Sequence, residues 1–240
     1  MVARMVHDAR AIDLNADLGE GFPLDDALLA RVTSASVCCG AHAGDPATIL
    51  RTLHAAKARG VVVGAHPGYP DREHFGRRER SASAAEVEAL IRSQVADLAA
   101  LAENVGLPIR FVKPHGALYN QAQRDPPIAA GVIAALAPLG LPVLGLPGSV
   151  LAAEAARAGL RFVAEGFPER RYREDGTLVA RTEPDAVIVD PAEVDEQVVR
   201  LVARGVETLC LHGDAPEAVA WADRIRAALD RAGIGLRGFA

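Results

Sequence analysis

Four histidines in this chain sit in the same kind of place, each at the end of an apolar run. They are His42 in Cys39-Gly40-Ala41-His42, His66 in Gly64-Ala65-His66-Pro67-Gly68, His115 in Lys113-Pro114-His115-Gly116 and His212 in Leu211-His212-Gly213-Asp214. A lone histidine is more often a satisfied structural residue, but four in matching positions point to a reactive centre that moves protons. Asp13, Asn15 and Asp17 alternate through the run from Ala11 to Leu18, so they share one face of an extended chain. For Asp13, an interior hydrogen-bonding role and a functional one are both open. Asp17, beside Gly19 and Glu20 in an exit loop, reads as functional.

Lys113 flanks Pro114 opposite His115. Lysine is seldom buried without a partner, and at a strand exit it can hold an anionic or carbonyl oxygen. The alternative is an ion pair with Asp13 or Glu165. Asn120 offers a further amide donor. Arg77-Arg78 and Arg170-Arg171 follow two of the apolar runs and suit an acidic or phosphorylated ligand. Gly148-Ser149 precedes a helix start, where free N–H groups can meet an anion.

These groups need a scaffold that delivers each of them at the end of a strand. Strands are expected at 11–15, 35–39, 61–65, 110–114, 142–146, 161–165 and 208–212, short and apolar on both faces, as buried parallel strands are. Helix signals lie between most of them. Asp45-Pro46 and Asp190-Pro191 each pair a capping residue with proline at the first helical position, Ser83 opens a longer segment that ends at Gly106, and Asp214 with Pro216 opens the last. Helices near 126–137 and 149–158 complete the set. Repeated strand–helix units over 1–240 give a single α/β domain, a distorted seven-stranded β/α barrel of the TIM-like kind. A doubly wound sheet is the runner-up, and the lack of GxGxxG after the first strand argues against dinucleotide binding.

Composition sets bounds. Half of the 240 residues are hydrophobic and the net charge is -5, which gives no reason to expect a nucleic acid or an anionic membrane as partner. Cys38, Cys39 and Cys210 make neither a disulfide framework nor a CxxC zinc pair. The charged first ten residues do not read as a signal peptide, and no apolar run is long enough to span a bilayer. A cytoplasmic enzyme is the expectation.

Six stretches then meet a known pattern. Asp13-Leu14-Asn15-Ala16-Asp17-Leu18-Gly19-Glu20, Cys39-Gly40-Ala41-His42-Ala43-Gly44-Asp45 and Gly64-Ala65-His66-Pro67-Gly68-Tyr69-Pro70-Asp71 resemble the LamB/YcsF family. So do Phe75-Gly76-Arg77-Arg78, Val112-Lys113-Pro114-His115-Gly116-Ala117-Leu118-Tyr119-Asn120 and Leu211-His212-Gly213-Asp214. The resemblance runs in order from Ile12 to Ile234. It implies a barrel of the glycoside hydrolase/deacetylase type and the ATP-dependent opening of 5-oxoproline (pyroglutamate) to glutamate. It also implies two other 5-oxoprolinase subunits, which activate the lactam by phosphorylation before this chain completes ring opening. Ala16 and Ala41 depart from the pattern, and the connections at 21–26 and 206–208 look short.

Opening such a lactam needs a base for water, a donor for developing negative charge and a clamp for the carboxylate. Asp17 or His66 is the expected base, Lys113 and His115 the charge stabilisers, and Arg77 or Arg170 the clamp. Asn15, Glu20, His42 and His212 line the substrate cleft. Lys113 is expected to point into that cleft, so that its removal costs activity and little stability. ATP is consumed by the assembled complex, because this chain has no Gx4GK[ST] motif. The rival enzyme reading is a metal-dependent deacetylase or amidohydrolase, with Asp13 or Asp17 plus His42 and His66 around a divalent ion. A ligand-binding subunit without turnover is the non-enzymatic rival.

Overall fold

The structure is a computed structural model that describes residues 11–239, apart from 182 and 215. The apolar runs bounded by glycine and proline become parallel strands. They are β1 (Ala11–Leu18), β2 (Ser34–Cys38), β3 (Val62–His66), β4 (Val143–Gly145), β5 (Phe162–Gly166) and β6 (Thr208–His212), with a short β7 (Gly235–Leu236) on β1. Their hydrogen-bonded order is β3-β2-β1-β6-β5-β4.

The stretch expected as a strand at 110–114 is reduced to a single bridging residue. Val112 pairs in parallel with Ala65 of β3 on one side and with Val143 of β4 on the other. Pro114 ends it, having no N–H to donate. Even so, this stave closes the sheet into a distorted seven-stave β/α barrel. Lys113 N–H donates to the Ala65 carbonyl, and Leu144 N–H donates to the Val112 carbonyl.

Helices surround the staves: α1 (Asp25–Leu29), α2 (Pro46–Arg59), α3 (Ala84–Val105), α4 (Gly116–Ala122), α5 (Pro126–Leu136), α6 (Val150–Arg157), α7 (Pro191–Ala203) and α8 (Ala218–Arg231). The cap signals work as expected at Asp45, which accepts from Thr48 N–H, and at Ser83, which forms a capping box with Glu86. Ser149 caps α6 by accepting from Ala152 N–H, which uses that hydroxyl for the helix itself. The last helix starts later than expected, at Ala218, because the Asp214 carboxylate turns instead to Arg77 and Arg181. The two short helices α1 and α4 have no side-chain cap, and α1 is marked in the sequence only by Asp25 and Asp26 in its first turn. No helix among the described residues is long and apolar enough to cross a membrane.

The barrel interior is plugged at the end where the strands begin. Phe111, Leu144 and Val163 are fully buried there, and Phe239 of the C-terminal tail packs its ring 5.1 Å from that of Phe111. Arg237 N–H donates to the Ile12 carbonyl and Arg161 to that of Phe239, which pins the tail across this end. Gly64 makes room for the plug, since a Cβ there would lie 2.2 Å from the Phe111 ring. With the bottom sealed by hydrocarbon, polar groups collect toward the strand exits.

Gly64→Ala should therefore cost about 1–3 kcal/mol by overpacking, a fall of several degrees in melting temperature at this chain length. Phe111→Leu in the same chain should recover part of it. Calorimetry of the two variants and the double variant checks this, and additive losses would mean the ring is not what Gly64 accommodates.

Candidate active site

Midway up the barrel, Lys113 gathers the staves. Its ammonium lies 2.9 Å from Asp17 Oδ1 on β1, 2.9 Å from Glu165 Oε1 on β5 and 2.8 Å from Cys210 Sγ on β6. The three acceptors match the three protons of an ammonium. Burial opposes both charges of the Lys113–Asp17 pair, yet the pair stays ionised. Asp17, the Cys210 sulfur and Glu165 hold Lys113 well above the ordinary lysine range, and His66 and Lys113 hold Asp17 well below that of a free carboxylate. Asn15 completes the layer, donating its amide to Glu165 and to the Thr208 hydroxyl. Of the two roles open to this lysine, the ion pair is realised with Glu165, and Asp17 takes the place expected for Asp13.

Asp13 lies below, accepting from the hydroxyls of Thr33, Ser34 and Thr208. Burial raises its pKa despite those bonds. It braces the staves and stands apart from the mouth.

Above Asp17, the exits of four successive staves bring Glu20, His42, His66 and His115 together. His66 Nε2 is 3.4 Å from Asp17 Oδ2 and 3.0 Å from His115 Nδ1. His42 Nε2 is 3.2 Å from Glu20 Oε1, and its ring stacks on that of His115 with centroids 3.8 Å apart. Burial and the neighbouring His66 push His42 down to about 3, and burial with His66 and His42 pushes His115 well below its usual value. Both rings are therefore neutral. Burial and the Asp17 charge raise Glu20 well above the ordinary glutamate range.

The chain backbone is shaped around this stack. Gly76 has φ +63°, and a Cβ there would come within 2.9 Å of His42 Cβ. Phe75, also left-handed at φ 56°, leans its ring over His42 and His115 with centroids 5.7 and 5.3 Å away. A non-glycine residue held in that region beside reactive groups is the kind of strain found at functional sites. Phe22 packs against Phe75 to extend the roof.

The remaining candidates part company. His212 turns to Glu169, with Nδ1 2.6 Å from Oε1, and its ring stacks on Phe167. Arg77 sits on the rim, paired with Asp214 and partly exposed. Arg170 is not brought to the mouth. Its guanidinium is buried and donates to the carbonyls of Val179 and Ala186, so it ties down the connection between β5 and α7. Of the two arginines considered as an anion clamp, only Arg77 faces the rim. Asn120 lies exposed on α4.

In the sequence Glu165 stands out only as a possible partner of Lys113, and Cys210 does not stand out as a member of the cluster. The signal was there for both. Cys210 alternates with Thr208 and His212 on β6, in register with Asn15, Asp13 and Asp17 of β1. The Phe75 carbonyl, which accepts from His115 Nε2, had no signal in side-chain chemistry at all.

A sequence model of the LamB/YcsF family matches residues 12–240. The chain is 48% identical to the A component of 5-oxoprolinase from Mycobacterium avium over 248 aligned positions, covering 95% of this chain and 98% of that one. It is 44% identical to the corresponding protein of Thermus thermophilus, with 95% and 99% covered. The crystal structure of a lactam utilization protein, also from Thermus thermophilus, superposes with a TM-score of 0.88 at 42% identity, covering 95% of this chain and all of that one. A family 4 carbohydrate esterase from Streptomyces lividans, at 14% identity and a TM-score of 0.51, shares the fold alone.

The expected separation of activity from stability at Lys113 does not suit this geometry, because its loss leaves two buried carboxyls without a counter-ion. Lys113→Met should cost about 3–5 kcal/mol, as breaking a buried pair does. Asp17→Asn in the same chain should return part of that. Urea unfolding reads both, and a wild-type midpoint for Lys113→Met would confine the lysine to chemistry.

Proposed function

The chain belongs to the LamB/YcsF family, and from that premise we propose that it is the A component of an ATP-dependent 5-oxoprolinase. In this reading it opens 5-oxoproline to L-glutamate together with partner subunits. One observation carries the proposal: near full-length similarity to chains named as the A component of 5-oxoprolinase. The mouth supports it chemically, with a fixed carboxylate, neutral imidazoles and a rim arginine in one recess.

A five-membered lactam is a resonance-stabilised amide with little ring strain, so plain hydrolysis is poor. Phosphorylation of the amide oxygen makes the carbon electrophilic and supplies a leaving group. This chain carries no nucleotide-binding motif, so ATP cleavage falls to its partners. Asp17 is the proposed proton acceptor for the attacking water: Lys113 fixes its Oδ1, while Oδ2 faces His66 and the mouth. Lys113 sets that carboxylate from below, and Asn15 Oδ1 in turn accepts from Lys113. His115, neutral and anchored on the Phe75 carbonyl, and His42 and Glu20 shape the recess around the ring. Arg77 on the rim is the proposed contact for the substrate carboxylate, exchanging Asp214 for it. His212, held on Glu169 beside Phe167, walls the far side.

The test is glutamate formation from 5-oxoproline and ATP, with the chain alone and with the products of neighbouring genes. The isolated chain should neither cleave ATP nor turn over the lactam, and the assembled set should couple the two. In that set Asp17→Asn, which keeps the contact with Lys113, should lose on the order of 10²–10⁴ in rate, the usual worth of a general base. ATP-independent turnover by the isolated chain would overturn the assignment to an ATP-dependent complex. Near wild-type activity of Asp17→Asn would move the base elsewhere.

A further inference from the structure

The histidine cluster poses a hydrogen-bonding problem of its own. A carbonyl oxygen only accepts, so His66 Nδ1, 2.8 Å from the Lys113 carbonyl, must carry its proton. His115 Nε2, 2.8 Å from the Phe75 carbonyl, must carry its own. With one proton on each ring, His66 Nε2 and His115 Nδ1 are lone-pair atoms, and they face each other at 3.0 Å. Asp17 Oδ2 lies 3.4 Å from His66 Nε2. Glu20 Oε1 lies 3.5 Å from His115 Nδ1 and 4.0 Å from His66 Nε2. The ligand atoms of Glu20, His66 and His115 lie within 4.8 Å of one another, and the opposed lone pairs among them call for a cation.

The spacing favours a metal ion over a proton. Four-coordinate zinc with bonds near 2.0–2.1 Å places its ligand atoms about 3.3–3.4 Å apart. The three edges between Glu20 Oε1, His66 Nε2 and His115 Nδ1 are 3.0, 3.5 and 4.0 Å, which bracket that value. The outer contacts fit as well. Metal-bound histidines nearly always donate their other N–H to a carbonyl or carboxylate, which orients the ring, and both rings here do so to main-chain carbonyls. His42 Nε2 contacts the same Glu20 oxygen at 3.2 Å and so braces the carboxylate. Because His42 stacks flat on His115, the two rings cannot both aim in-plane lone pairs at one ion, so His42 supports Glu20 and does not ligate. Imidazole nitrogens with a single carboxylate suit zinc and its first-row neighbours better than magnesium or calcium.

We propose that Glu20, His66 and His115 bind one divalent transition-metal ion, with zinc the best fit and the fourth position open toward Asp17. This ligand set differs from the sequence expectation of Asp13 or Asp17 with His42 and His66: Asp13 is sequestered below by three hydroxyls. The proposal stands apart from the lactam reading, because its readout is bound metal with no substrate present.

The experiment uses the full chain, stripped with a chelator and dialysed, then titrated with zinc chloride by calorimetry and checked by elemental analysis. One zinc per chain is expected, with a rise in melting temperature on loading. His42→Phe, which keeps the stack, should weaken binding about tenfold to a hundredfold, as loss of an orienting partner does. Glu20→Gln, His66→Gln and His115→Gln should each weaken it further than that. His54→Gln, on the exposed face of α2, should bind as wild type does. Circular dichroism of the metal-free variants identifies any that fail to fold, and the folded ligand variants then decide. Absence of stoichiometric zinc, zinc retained by the folded ligand variants, or zinc lost in His54→Gln would each overturn the site. So would an NMR spectrum in which His66 carries both ring protons and excess zinc leaves it unchanged.

Discussion

The chemistry at the mouth depends on one ammonium staying charged inside a barrel. Taking Lys113 out of water costs several kcal/mol unless acceptors replace its hydration, and the interior supplies them from β1, β5 and β6. One group thereby links the 111–113 stave to three others across the barrel. The choice of lysine is physical. Of twenty-six Lys and Arg residues only Lys57 and Lys113 are lysines, so arginine is the cation this chain otherwise uses. A guanidinium presents its donors in one planar fork, whereas the acceptors around Lys113 lie on three separate staves. Three rotatable donors on a compact head fit that arrangement.

The interior is graded along its axis, and the gradient follows from alternation on parallel strands. At the closed end the inward residues are aromatic and aliphatic, sealed by Phe239. Next come Asp13 and its hydroxyl partners, a neutralising layer in which every contact is internal. Lys113, Asp17, Asn15 and Glu165 form the charged layer, and the histidines with Glu20 form the mouth. Both polar layers are buried, and burial strengthens the electrostatics within them. The Phe75 and Phe22 roof completes the enclosure.

The parts of this design that were legible in the sequence are those that follow a period. Alternation of Asp13, Asn15 and Asp17 put them on one face, and the register of β1 with β6 extends the same face to Thr208, Cys210 and His212. The strand-end histidines were legible because glycine and proline punctuate each exit. What escaped was direction within loops. Arg170 and Arg77 look alike as adjacent-arginine signals, yet one is spent on carbonyls of its own loop and the other faces the rim. The stave at 110–114 was legible as a strand, but its reduction to a single bridging residue at Val112 was not, because the apolar pattern does not say where pairing stops before the proline. Helix α4 begins at Gly116 behind a histidine that makes no side-chain cap, so nothing local announces it.

The three carboxyls of the upper barrel set a final constraint. Asp17, Glu165 and Glu20 crowd one buried region that holds a single ammonium. Lys113 reaches the first two, and the third, out of its hydrogen-bonding reach, is the one whose pKa burial and Asp17 drive up. His115 Nδ1, from the fourth stave, faces that carboxyl at 3.5 Å. A site with a dication at the mouth inverts this logic. The ion would favour the ionised form of Glu20, give the lone pairs of His66 and His115 a common partner, and leave Asp17 bound to Lys113. The surplus carboxyl and the opposed imidazoles, each awkward alone, then have one shared explanation in the same few ångströms.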